Sequence, residues 1–127
     1  MGDLTKNFSR YEFACNCGCG FDNINPTLIN MLQTIRSYIG EPFDISSGCR
    51  CKYWNKHEKG KRNSQHLLGN AADIHCRIGA GKLYTIIKKL YISGAIPVLG
   101  YAQLYVALDF VHLDVRPNKS YTVRRWA

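Results

Sequence analysis

Ser64-Gln-His66-Leu-Leu-Gly69-Asn-Ala71-Ala-Asp73 packs a histidine, a glycine, two alanines and a carboxylate into one short run. In a straight helix His66 and Asp73 would share a face but sit about 10 Å apart along the axis, too far for both to reach one ion at ~2 Å. The chain is therefore expected to turn between them. Gly69 supplies the backbone freedom for that turn, and the small Ala71 and Ala72 let neighbouring backbone come close. Beyond the turn, Ala71 to Ile78 alternates as a strand that sends Ala71, Asp73, His75 and Arg77 to one face.

Far downstream the chain reads Asp109-Phe-Val-His112-Leu-Asp114. His66, Asp73 and His112 together offer two imidazoles and a carboxylate, a three-ligand set that leaves a fourth position for water, as catalytic rather than structural zinc requires. Such a centre makes hydroxide near neutral pH and polarises a carbonyl. Hydrolysis of an amide or ester is the expected reaction. In an unbroken strand, positions 109 and 112 face opposite ways, so a bulge or loop is needed to bring Asp109 to the metal, whereas Asp114 shares His112's face.

The flanking sequence supplies the frame. Ser9-Arg-Tyr-Glu12 fits a capping box and predicts a short helical turn. Asn25-Pro26 reads as a cap with Pro at the first helical position, and Leu28, Ile29, Leu32, Ile35 and Ile39 recur at helical spacing up to Gly40. Phe43 to Ser47 predicts a strand, and the polar, basic stretch from Lys52 to Ser64 predicts a long surface loop. Gly81-Lys82 opens a second helix with Leu83, Ile86, Ile87 and Leu90 inward and Gly94 closing it. Ile96 to Val115, rich in Val, Leu, Tyr and Phe, predicts two antiparallel strands broken near Gly100 or around Tyr105 to Asp109. A last short strand is expected from Tyr121 to Trp126. The fold class is therefore α+β, a small antiparallel sheet carrying the zinc site and packed against two main helices.

The 127 residues have room for one domain, and 46% apolar with 20% charged residues suits a packed core rather than general disorder. The N-terminus has no apolar run of signal-peptide length and no segment approaches a membrane span, so the chain is expected to start out cytoplasmic and to reach any target outside the membrane through a lytic pore or on lysis. The net charge is +8, with Lys52, Lys56, Lys59, Lys61 and Arg62 close together. A polyanion, either nucleic acid or an anionic wall polymer, is one expected neighbour, and a merely solvated basic loop is the alternative. Six cysteines stand as Cys15-x-Cys17-x-Cys19, Cys49-x-Cys51 and Cys76. None has Cys-x-x-Cys spacing. Buried free thiols are the favoured reading, with a disulfide or a second, structural metal as alternatives.

The Ser64–Asp73 stretch and the later His112 resemble the Ser-x-His-x-x-Gly-x-Ala-x-Asp motif and distal histidine of the zinc D-Ala-D-Ala carboxypeptidase and L-Ala-D-Glu endopeptidase family, which includes phage endolysins. Ser46-Ser-Gly48-Cys-Arg50 and Asn55 are similar to that family's Ser-Gly-x-Arg segment, and the likeness runs from about Phe8 to Trp126. The resemblance implies that His66, Asp73 and His112 hold Zn2+, that Asp109 is the acid/base carboxylate, and that Arg50 binds substrate or steadies an oxyanion. Asp114, on the face of His112, competes with Asp109 for the base role, and orienting a ligand imidazole is its favoured reading. His75 is read as a hydrogen-bonded neighbour, Ser64 as a turn residue or a partner of the site, and Trp54, Tyr101, Tyr105 and Trp126 as groove or packing aromatics. The implied substrate is a peptidoglycan stem peptide cut by a monomer, with no nucleic acid expected; L-Ala-D-Glu endopeptidase ranks before D-Ala-D-Ala carboxypeptidase. Two rivals stay open: a hedgehog-like zinc binding module, and a basic nucleic-acid-binding domain with structural zinc.

Overall fold

The computed structural model describes residues 2–126. Four strands, β1 (Phe43–Ser47), β2 (Ala71–Cys76), β3 (Tyr101–Tyr105) and β4 (Phe110–Asp114), form one antiparallel sheet in the order β1-β2-β4-β3. The long helices are α1 (Pro26–Ile39) and α3 (Ala80–Ile92). Asn25 caps α1 by accepting from Thr27 N, and Gly40 ends it in the left-handed conformation. Leu28, Leu32 and Ile35 of α1 and Leu83 and Ile87 of α3 join Ala72, Ile74, Val111, Leu113 and Ala102 in one apolar cluster. Period-two alternation thus commits one face of β2, β3 and β4 to the core. Their other residues, Asp73 and His75, Phe110, His112 and Asp114, Tyr101 and Gln103, point the opposite way.

Ser9 N donates to Glu12 Oε2 at 2.7 Å and opens a 3-10 turn over Arg10–Phe13. The break between β3 and β4 falls at Tyr105 to Asp109, the second of the two expected places.

Three expectations are corrected. Lys52 to Ser64 begins with a helix, α2 (Lys52–His57), where a loop was expected. Its signal is tertiary: Asn55 is buried, and its side chain donates to Lys61 O at 2.9 Å while accepting from Arg50. Tyr121–Trp126 is a helix, α4, and not a strand. The β-prone Tyr, Val and Trp do not set its state, because Val123 is buried and Trp126 packs edge-on against Tyr84 and Tyr91 of α3. The strand read as reaching Ile78 also stops at Cys76.

Candidate active site

The expected turn between His66 and Asp73 is a 3-10 helix over Gln65–Leu68 closed by Gly69 at φ +71°. Ser64 Oγ accepts from His66 N at 3.2 Å, so Ser64 acts here as the cap of that turn. A Cβ at Gly69 would overlap the carbonyl oxygen of Asn23, and Gly69 O in turn accepts from Asn25 N at the start of α1. Gly69→Ala should therefore cost more than the roughly 1–2 kcal/mol of a left-handed non-glycine residue. Denaturant unfolding measures this, and an unchanged midpoint would mean that the turn relaxes freely.

The turn and the β2–β4 pairing bring three ligand atoms together. Asp73 is directly opposite His112 in the register. Asp73 Oδ1 lies 3.2 Å from His66 Nε2 and 3.0 Å from His112 Nδ1, near the ~3.4 Å separation of ligands around one ion at ~2.1 Å. Asp73 Oδ2 is taken by Arg50 Nη2 at 3.2 Å, so Oδ1 is the oxygen that faces the imidazoles.

The remaining ring nitrogens fix the tautomers. His66 Nδ1 lies 2.6 Å from Gly48 O, a group that only accepts, so the proton sits on Nδ1 and Nε2 presents a lone pair. His112 Nε2 lies 2.9 Å from Asp114 Oδ2. Asp114 is fully buried and also accepts from Arg116 Nε at 2.9 Å and Nη2 at 2.7 Å. Burial raises its pKa, but His112 and Arg116 outweigh that and hold the carboxyl below the usual range, as an acceptor only. Neutral His112 therefore also presents a lone pair at Nδ1. With His112 neutral, two imidazole lone pairs and a carboxylate oxygen face one another, an arrangement that a divalent cation resolves. The residues present fit the metal.

Without metal the same groups hold a proton. Burial pushes His112 down, yet hydrogen bonds and charges from Asp114 and Asp73 prevail and raise it above its ordinary value of 6.5. Asp73, raised by burial, is held well below the carboxylate range by His112 and His66. The raised His112 stabilises the metal-free fold below about pH 6.5 and stops doing so as pH rises through its folded value. The lowered Asp73 stabilises above its unfolded value of about 3.8 and stops as pH falls through its folded value. Metal-free protein should accordingly be most stable between about pH 4 and 6.5. Because the metal must displace the His112 proton, affinity should rise with pH, about tenfold per unit below the folded value. Chelator competition across pH 5.5–8 measures it; a flat profile would remove His112 from the ligand set.

Arg50 belongs to the cluster. Its Nε donates to Ser47 Oγ at 2.9 Å, Nη1 to Asn55 Oδ1 at 3.2 Å and Nη2 to Asp73. Asp109 sits elsewhere, in the turn before β4 at φ +54°. Its Oδ1 accepts from Ala80 N at 2.8 Å at the start of α3, its backbone oxygen is 2.8 Å from His75 Nδ1, and Oδ2 is 3.5 Å from the same nitrogen. Among the described residues it has no hydrogen bond to His66, Asp73, His112 or Arg50. Sequence reasoning had Ser47 only as the first residue of the Ser-Gly-x-Arg likeness, with no role of its own, and did not single out Arg116, whose one signal was its spacing two after Asp114.

No curated protein matches the chain. The profile of the peptidase M15 family matches residues 6–114. That span contains all three clustered ligands, Arg50 and Asp114, and on it this chain belongs to the peptidase M15 family of metallopeptidases.

Proposed function

We propose that the protein is a zinc-dependent peptidoglycan hydrolase that cuts the stem peptide between L-Ala and D-Glu. The observation that carries the reading is the convergence of His66 Nε2 and His112 Nδ1 on Asp73 Oδ1, with their opposite nitrogens against Gly48 O and Asp114 Oδ2. This donor set of two nitrogens and one oxygen suits zinc with an open position. When bound, zinc supplies the Lewis acidity that activates water and polarises the scissile carbonyl.

The chain's own groups do the rest. Asp109, with a half-exposed carboxylate beside His75, takes the proton from the attacking water and passes it to the leaving amine. Support for this comes from His75, which lies two residues from Asp73 on the same face of β2 and links the Asp109 turn to that face. Asp114 cannot serve, since its oxygens are buried and engaged by His112 and Arg116. Arg50 places a fixed cation beside Asp73, where it meets a substrate carboxylate or the developing oxyanion. Tyr101 near His112 and Tyr105 stacked on Phe110 flank the same face and give a peptide an apolar wall. On this reading the enzyme meets the wall after lysis or through a pore.

Arg50→Lys keeps the charge but cannot reach Ser47, Asn55 and Asp73 together, so turnover should fall about 10²–10³-fold with metal retained. Wild-type kinetics would make Arg50 structural. The reading as a whole is tested by digesting purified peptidoglycan with zinc-loaded protein and identifying the freed termini by mass spectrometry. New D-Glu amino termini are expected. Free D-Ala would move the cut to the D-Ala-D-Ala bond, and no new termini would overturn the substrate.

A further inference from the structure

We propose that Cys15, Cys17, Cys19 and Cys51 form a second metal site, a tetrahedral four-thiolate centre for structural zinc, separate from the catalytic cluster. The sulfurs converge although Cys51 is far from the other three in sequence. Cys15 Sγ lies 3.5 Å from Cys17 Sγ and 3.9 Å from Cys51 Sγ, Cys17 Sγ lies 3.6 Å from Cys51 Sγ, and all four sulfurs fall within 4.8 Å of one another. Four sulfurs at 2.3 Å around a tetrahedral zinc are about 3.8 Å apart. A disulfide brings two sulfurs to about 2.05 Å and would leave the other pair without purpose.

The six cysteines divide into two groups. Cys49 and Cys76 are buried in the apolar core, as free thiols acting as small hydrophobes would be. Of the other four only Cys15 is buried; Cys17 and Cys51 are partly exposed and Cys19 is exposed. Core filling does not account for a cluster at the surface. A thiol is a weak donor and a weak acceptor, so mutual hydrogen bonding does not account for it either.

The backbone is arranged around the sulfurs. Alternate residues of an extended strand sit about 6.6–7 Å apart, so Cys15, Cys17 and Cys19 would not converge without a turn. Gly18 at φ +82° and Gly20 at φ +91° provide it, with Gly18 N bonded to Cys15 O. Backbone amides then point at sulfur: Cys51 N donates to Cys15 Sγ and Trp54 N to Cys51 Sγ, each at 3.4 Å. Amide donors of this kind favour and orient thiolate ligands. All-sulfur donors in a tetrahedron select zinc among the common divalent ions without redox chemistry.

The placement gives the centre a purpose. Cys51 follows Arg50 directly, Gly48 O holds the His66 tautomer, and Cys49 N is bonded to Phe13 O. A metal joining the Cys15–Cys19 loop to Cys51 would clamp the segment that carries Arg50 and Gly48 against the N-terminal arm. It closes a loop of more than thirty residues, where a cross-link removes much unfolded-state entropy.

The test uses the full chain purified under reducing conditions. Zinc analysis should give two ions per chain, falling to one in His66→Ala and to one in Cys19→Ser, whose exposed position makes it a mild change to the fold. Cobalt added to metal-free wild-type protein should give the intense thiolate-to-cobalt charge-transfer band of a four-sulfur site, persisting in His66→Ala and weakened at least tenfold in Cys19→Ser. Zinc should shield four of the six thiols from alkylation until a chelator is added. One zinc per chain with no cobalt–thiolate band overturns the proposal. So does a mass showing disulfides among these four cysteines in zinc-supplied protein, or uniform alkylation of all the exposed thiols with zinc present.

Discussion

His66→Ala and His112→Ala should each strip the catalytic metal and lower turnover by roughly 10³-fold or more, since the Lewis acidity at stake is several kcal/mol of transition-state stabilisation. Among the described residues the cluster offers three ligand atoms, Asp73 Oδ1 and the two imidazole nitrogens that converge on it, so no fourth side chain there can replace a lost imidazole. The two variants should differ in stability. His66 is buried between Gly48 O and Asp73, and its removal leaves a carbonyl without a partner, at about 1–3 kcal/mol, as well as a cavity. His112 lies nearer the open face, but its loss leaves Asp114 with Arg116 alone. Metal analysis beside thermal unfolding separates these effects. Full occupancy of the His–Asp centre in either variant would remove that residue from the ligand set.

Opposite signatures are expected from the two nearby carboxylates. Asp109→Asn keeps an oxygen to accept from Ala80 N, so the fold and the metal should remain while turnover falls about 10²–10⁴-fold through loss of a proton acceptor. Asp114→Asn removes a buried negative charge that sits between His112 and Arg116. Losing one member of such a group costs about 3–5 kcal/mol, and the unfixed imidazole should weaken metal affinity about 10- to 100-fold, with activity partly restored by added zinc. Turnover assays at saturating zinc and chelator competition together read both. Wild-type turnover in Asp109→Asn alongside a dead, fully metal-loaded Asp114→Asn would exchange the two roles.

Local chemistry alone determined the frame of this protein. The Asn25-Pro26 cap and the helical spacing up to Gly40 placed α1, and the alternation after Gly69 placed β2 with Asp73 outward. His66, Asp73 and His112 were legible as a group because a metal demands a fixed kind and number of donors whatever the fold. Where a segment carried no periodic apolar face, its state came from elsewhere in the molecule: α2 through the buried Asn55, α4 through Trp126 against α3. Carboxylate roles were decided the same way. Asp109 and Asp114 look alike in sequence, but the β3–β4 turn sends one to the start of α3, while the strand register buries the other behind His112. The cysteine cluster shows the same limit, because Cys51 meets Cys15 and Cys17 only through the path of the backbone across α1 and β1. Spacing specifies which side chains share a face within one element, and only packing between elements specifies which of them touch.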